Sequence, residues 1–168
     1  MPILVHGDIR PLSQNEFAAL AYRVTRRAFS LHRKMGPLFD EHVYRDALAA
    51  QIENARTEVQ VDVMFRDFKK SYFMDLIVGA GGLFELKTAE RIHPRHRAQV
   101  LNYLLLTGLQ HGKLFCFHSG GVQQEFLNTT LSLSDRKQFE VDCGEWKATD
   151  RFGESQRDVI RELLDELG

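Results

Sequence analysis

The sequence predicts an α+β fold in which one mixed sheet of four or more strands is flanked by helices, in the order helix, three strands, helix, strand. Three observations predict it. Apolar residues recur at helical spacing from Phe17 to Met35, the period falls to two between Val59 and Phe65, and helical spacing returns after Pro94 before another short apolar run. Long helical patterns interleaved with such runs bury their apolar faces by packing helices on a sheet.

Ser13-Gln14-Asn15-Glu16 has the capping-box pattern, and Phe17, Leu20, Ala21, Val24, Ala28, Leu31 and Met35 then form one stripe that Gly36-Pro37 stops. A second helix is predicted from Phe39 or Asp40 to about Asn54, with Glu41, Tyr44, Leu48 and Gln51 along one face. From Thr57 the residues Val59, Val61, Val63 and Phe65 alternate with Glu58, Gln60, Asp62 and Met64, as in a strand with one buried face. Arg66 to Lys70 reads as a turn, and a strand over about Ser71 to Val78 follows. Gly79-Ala80-Gly81-Gly82 turns the chain and Leu83 to Thr88 returns, which makes an antiparallel meander. Pro94 at a first-turn position opens a third helix that runs to Thr107 with Gly108 as its stop. On it His96, Gln99 and Tyr103 share a face, while Val100, Leu101, Leu104 and Leu105 supply apolar area. Lys113 to His118 is a buried strand. Beyond Val122 the pattern thins: Gln123 to Leu133 predicts one or two edge strands, Phe139-Glu140-Val141 another, and Val159, Ile160, Leu163, Leu164 and Leu167 a terminal amphipathic helix.

A chain of 168 residues, 43% hydrophobic and 27% charged, can bury one proper core. One domain over 1–168 is expected, its core at about 36–118, with the helix at 13–35 and the region 122–168 as additions. Cys116 and Cys143 have no CxxC spacing, so neither a disulfide framework nor a cysteine-rich zinc site is supported. Ile3-Leu4-Val5 is too short for a signal-peptide core and no apolar run approaches membrane length, so a soluble, cytoplasmic protein is expected, with homo-oligomerisation left open. Net charge is −1, which argues against a strongly basic nucleic-acid coat. The charges are nonetheless segregated. Arg23, Arg26, Arg27, Arg33 and Lys34 occur without an intervening acid, Arg91, Arg95 and Arg97 recur with His93 and His96, and acids gather after Asp135. That asymmetry permits one phosphate-facing side, although solvated helices explain any single cluster equally well.

The chemistry concentrates on Phe84-Glu85-Leu86-Lys87. In an extended strand Glu85 and Lys87 project together, opposite Phe84 and Leu86. Asp75 lies on the preceding strand, so Asp75 and Glu85 could offer carboxylate oxygens to a hard divalent cation, magnesium or manganese, beside an amine able to position or help deprotonate a water. Asp75 falls across from Glu85 on one face only if the turn holds an odd number of residues or a bulge. Taken alone, the Glu-x-Lys tripeptide fits a solvent-facing ion pair better. The other motifs are weaker. The glycine cluster lacks the lysine and hydroxyl of a P-loop, His93 and His96 lack the spacing of a helical zinc pair, Cys116 and His118 read as structural, no GxSxG occurs, and Tyr72 or Trp146 could stack a base.

Taken together, an acid at the start of the second helix, Asp75, Glu85-x-Lys87 and Gln99 in that order resemble the PD-(D/E)XK nuclease superfamily, and more closely its GxxExxY proteins. The resemblance runs from about Met35 to His118, over Gly36 to Tyr44, Met74 to Val78, Phe84 to Lys87 and Arg97 to Leu104. Leu38 stands where the name-giving glycine is expected, and Met74 where the superfamily's proline precedes the aspartate. The resemblance implies a restriction-endonuclease-like αβββαβ core and a magnesium- or manganese-dependent nuclease whose expected substrate is DNA. It implies Asp75, Glu85 and Glu41 as metal ligands with the Leu86 carbonyl, Lys87 assisting the water, and Gln99 completing the catalytic set Glu41, Asp75, Glu85, Lys87 and Gln99. Tyr44, Arg95, His96, Arg97, Gln99 and Tyr103 are the candidates for touching nucleic acid. The alternative is a catalytically inactive module of the same fold that binds nucleic acid or a protein partner.

Overall fold

The computed structural model describes residues 3–131, 134–135, 138, 140–147 and 151–167, without the side chains of 151–154 and 167. Strand β1 (Ile3–Val5) precedes helix α1 (Gln14–Met35) and the shorter α2 (Glu41–Ala49). Then come β2 (Ala55–Phe65), β3 (Phe68–Val78), β4 (Gly82–Thr88), α3 (Pro94–Thr107), β5 (His111–His118), β6 (Gly121–Asn128) and α4 (Arg151–Leu167). Among the described residues the six strands form one sheet in the order β1-β2-β3-β4-β5-β6. Every neighbouring pair is antiparallel except β4 and β5, which run parallel because α3 carries the chain back across the sheet. The predicted mixed sheet flanked by helices is therefore observed.

Local signals explain the helix ends. Ser13 accepts the Glu16 amide through its hydroxyl, and the Glu16 carboxylate accepts the Ser13 amide at 2.8 Å, a reciprocal cap worth about 1 kcal/mol. Gly36, with φ of 76°, ends α1 in a conformation that side chains resist. Pro94 and Gly108 bound α3 as predicted. The second helix is shorter than predicted: it stops at Ala49, and the following turn reaches Asn54 with φ of 57°, leaving Gln51 outside it. The first hairpin turn is also tighter. Phe65 pairs with Phe68 across Arg66 and Asp67, with Arg66 at φ of 51°.

Both faces of the sheet are covered. Phe17, Leu20, Val24 and Leu31 of α1, with Tyr44 and Leu48 of α2, pack on Leu76, Phe84, Leu86, Phe115 and Phe117. On the opposite face Val100, Tyr103 and Leu104 of α3 pack on Val59, Met74, Ile77, Leu83 and Leu114. The central strands are thus apolar on two sides rather than on the single side that alternation in β2 suggested. Asp62, expected on an outward face, is 1% exposed and gathers Ser71, Gln60, His6 and Lys69 at 2.6 to 2.9 Å. Those four hold its carboxyl well below the usual range, the Ser71 hydroxyl foremost. Of the thinly patterned region, β6 realises one edge strand. Leu133 and Phe139, within the other predicted strands, and the side chain of Leu167 lie outside the described residues, while Glu140 and Val141 are in no strand.

Candidate active site

Three carboxylates from three elements meet one ammonium. Lys87 Nζ donates to Glu85 Oε1 at 2.8 Å and to Glu41 Oε1 at 3.0 Å, and lies 3.8 Å from Asp75 Oδ2. Glu41 arrives from the first turn of α2, Asp75 from β3, Glu85 and Lys87 from β4. The turn that sets the register has three residues, because Gly82 already pairs with Val78 as the first residue of β4. Leu76 then faces Phe84, and one step further Asp75 reaches Glu85 on the same face.

Asp75 is irregular in a useful way. It has no partner in the ladder with β2, where Glu58 opposite has φ of 52°, nor in the ladder with β4. Its Oδ2 accepts the Leu86 amide at 2.8 Å in place of a ladder bond. Beyond that point β3 stays paired with β2 but leaves β4, so the two strands fork around the charged group. The gap is closed from α3: the Tyr103 hydroxyl donates to the Phe73 carbonyl at 2.8 Å, and Gln99 Nε2 donates to that hydroxyl at 3.0 Å.

Burial makes this cluster electrostatically tense. Glu85 is 0% exposed, and its Oε2 is buried without a hydrogen-bond partner. Burial first, then the Asp75 and Glu41 charges, push its carboxyl up to about 8 against the pull of Lys87. Burial also raises Glu41, opposed chiefly by Lys87. For Lys87 burial works downward, but Glu85, Asp75 and Glu41 outweigh it and hold the ammonium above the ordinary lysine range. Tyr103 is pushed up to about 12, by burial and then by Glu85.

The carboxyl oxygens converge on Lys87 rather than on each other, and no ready-made cage of three metal-type ligands stands among the described residues. The donor set nevertheless fits a hard divalent cation. Three carboxyl groups face one ammonium, and the orphaned Glu85 oxygen is one that a proton or a cation must satisfy.

The other candidates divide. Tyr44 is a correction as a nucleic-acid contact: it is fully buried, stacked on Phe117 at 4.4 Å, and its hydroxyl donates to the Gly36 carbonyl. Tyr103 and His96 are buried as well, and Arg97 Nε is held by both oxygens of Glu125 at 2.7 and 2.9 Å. Arg95 is exposed beside His96, to which its Nε donates at 3.3 Å. Gln99 faces Tyr103 rather than open solvent alone. Sequence reasoning did not find Phe73 or Glu58, since a carbonyl's partner and a positive φ leave no mark in residue type.

A helix-covered sheet whose forked central strands hold Asp and Glu-x-Lys beside a helix glutamate has the layout of the PD-(D/E)XK nucleases. The model of the PD-(D/E)XK nuclease superfamily matches residues 18–128, and the chain belongs to that superfamily. A solved structure described as the crystal structure of SSO0001 is similar at 17% identity with a TM-score of 0.45, over 89% of this chain and 66% of that one. The chain therefore spans just under two thirds of that structure. No curated protein matches it.

Proposed function

We propose that the chain hydrolyses nucleic-acid phosphodiester bonds, with DNA as the expected substrate, and depends on magnesium or manganese. The observation that carries this reading is the convergence of Glu41, Asp75 and Glu85 on Lys87 within 3.8 Å, with one Glu85 oxygen buried and unpartnered. Membership of a nuclease superfamily supports it. A grouping with the GxxExxY proteins is supported by Glu41 and Tyr44 one turn apart at the start of α2.

Asp75 and Glu85, with Glu41 directly or through water and the Leu86 carbonyl, would hold the ion. Bound there, it supplies Lewis-acid activation of a water and neutralises phosphate charge. Lys87, kept protonated by its neighbours, serves as a donor that orients the water and meets charge developing on the phosphate; it is a poor base in this setting. That narrows the water-assisting role the resemblance implies. Gln99 and Tyr103 fix the floor of the fork rather than contact the reacting atoms. Glu41, at 35% side-chain exposure against 13% for Asp75, is the acid nearest solvent and the one best placed to engage an incoming water.

The test is a panel of labelled DNA and RNA with magnesium or manganese. Cleavage should require the cation and fall by on the order of 10²-fold or more in Asp75→Asn and Lys87→Met. Undiminished cleavage in both variants overturns the assignment. The inactive-module reading gains its support from Lys87 already pairing all three carboxylates; an absence of cation binding to the wild type, with nucleic-acid binding intact, would establish it.

A further inference from the structure

Outside the charged fork, the strongest unassigned feature is one side of α1. Arg23, Arg26, Arg27, Arg33 and Lys34 are all exposed. At ~100° per residue they fall within an arc of about 120°, opposite the stripe of Phe17, Val24, Ala28 and Leu31 that faces the sheet. Among the described residues none of the five has an acidic partner. In contrast Arg10, Arg45, Arg66, Arg97 and Arg157 each pair with a carboxylate. Arg33 and Lys34 lie in the last turn, where the helix dipole favours cations. That account does not reach Arg23, Arg26 and Arg27, which sit mid-helix at mutually repelling spacings of three and four; among the described residues the trio's one ring contact is Arg26 over Tyr22 at 6.0 Å.

We propose that this face of α1 is a second nucleic-acid contact, separate from the cleft, that grips the phosphate backbone of one strand by charge alone. The proposal rests on the nucleic-acid substrate proposed above. Charge complementarity selects the occupant. The bases extend over about 16 Å of helix axis at ~1.5 Å per residue, long enough to follow a few successive phosphates of one duplex strand. Base edges are not read, because five like point charges on one convex helix carry no donor–acceptor pattern. A chain of net charge −1 gains affinity for a polyanion only through such a segregated patch.

The experiment uses the full chain carrying Asp75→Asn in EDTA, so that binding is read without cleavage. Affinity for a fluorescent DNA duplex is followed by anisotropy between about 50 and about 200 mM KCl. The triple change Arg23→Gln, Arg26→Gln, Arg27→Gln should lower the slope of log K against log salt by about 2.7, at ~0.9 per lost contact, and weaken binding more than tenfold at the low-salt end. The matching Arg→Lys triple should keep the slope. An unchanged slope in a folded glutamine triple overturns the α1 assignment alone. A glutamine triple that loses thermal stability without losing DNA affinity overturns it in favour of a fold role for these arginines. Loss of binding to phosphatidylserine vesicles with DNA binding retained overturns it in favour of a membrane surface. Failure of the Asp75→Asn chain to bind any nucleic acid removes the substrate reading as well.

Discussion

Glu85 offers one carboxyl oxygen to Lys87 and has no donor for the other, and its own side chain is fully closed to solvent. Its protonation is therefore linked to stability. The carboxyl sits near 8 in the folded chain against an ordinary 4.5, so between those values the folded state binds the extra proton and stability falls as pH rises. The contribution is complete below about 4.5 and gone above about 8. Denaturant unfolding in EDTA should show this decline, at up to about 1.4 kcal/mol per pH unit through the window. Glu85→Gln should flatten it, and a saturating divalent cation should restore stability at the alkaline end. A pH-independent wild type would contradict the burial of an unsatisfied carboxyl. Asp62, two strands away on β2, shows the opposite solution: almost as hidden, it is satisfied on both oxygens by four side chains and stays ionised.

At the scale of elements, the fork between β3 and β4 depends on α3. Tyr103→Phe removes the donor to the partly buried Phe73 carbonyl, which should cost about 1 kcal/mol in urea unfolding. If the hydroxyl positions the fork, the variant should also lose turnover with little change in KM, whereas a merely structural bond would leave turnover untouched. Elements with local punctuation were legible in the sequence. The capping box of α1 and the Pro94 and Gly108 bounds of α3 are written in residue type, and both appear where they were read. Those that depend on distant partners were not. β1 is only three residues long, Asp62 is satisfied by residues of β2 and β3 and by His6 just past β1, and Gly82, lacking a side chain, does not show to which side of its turn it belongs. The candidate residues Glu41, Asp75, Glu85 and Lys87 were readable as a set through the motif order that resembles the superfamily, and the fold brings them together. What could not be read is that α3 would close over Glu85, since the Glu-x-Lys pattern itself suits an exposed strand.

For the whole molecule, among the described residues both apolar layers are built from residues between Ile3 and Leu127, and the superfamily match ends at 128. A chain ending at residue 131 should therefore unfold cooperatively, with a midpoint within a few degrees of the full chain's, as read by circular dichroism. A molten or aggregated product would show that the later residues contribute to the core. The opposite border of the sheet has a different significance. β2 is eleven residues long, and β1 pairs only with Val61, Asp62 and Val63 at its outer side, fastened by His6 on Asp62. A long strand carrying Val59, Val61 and Val63 would, uncovered, be a template for strand addition by another molecule. The short β1 and its histidine latch cover part of that border, and a chain that lost them would offer three more unpaired backbone positions to a second copy.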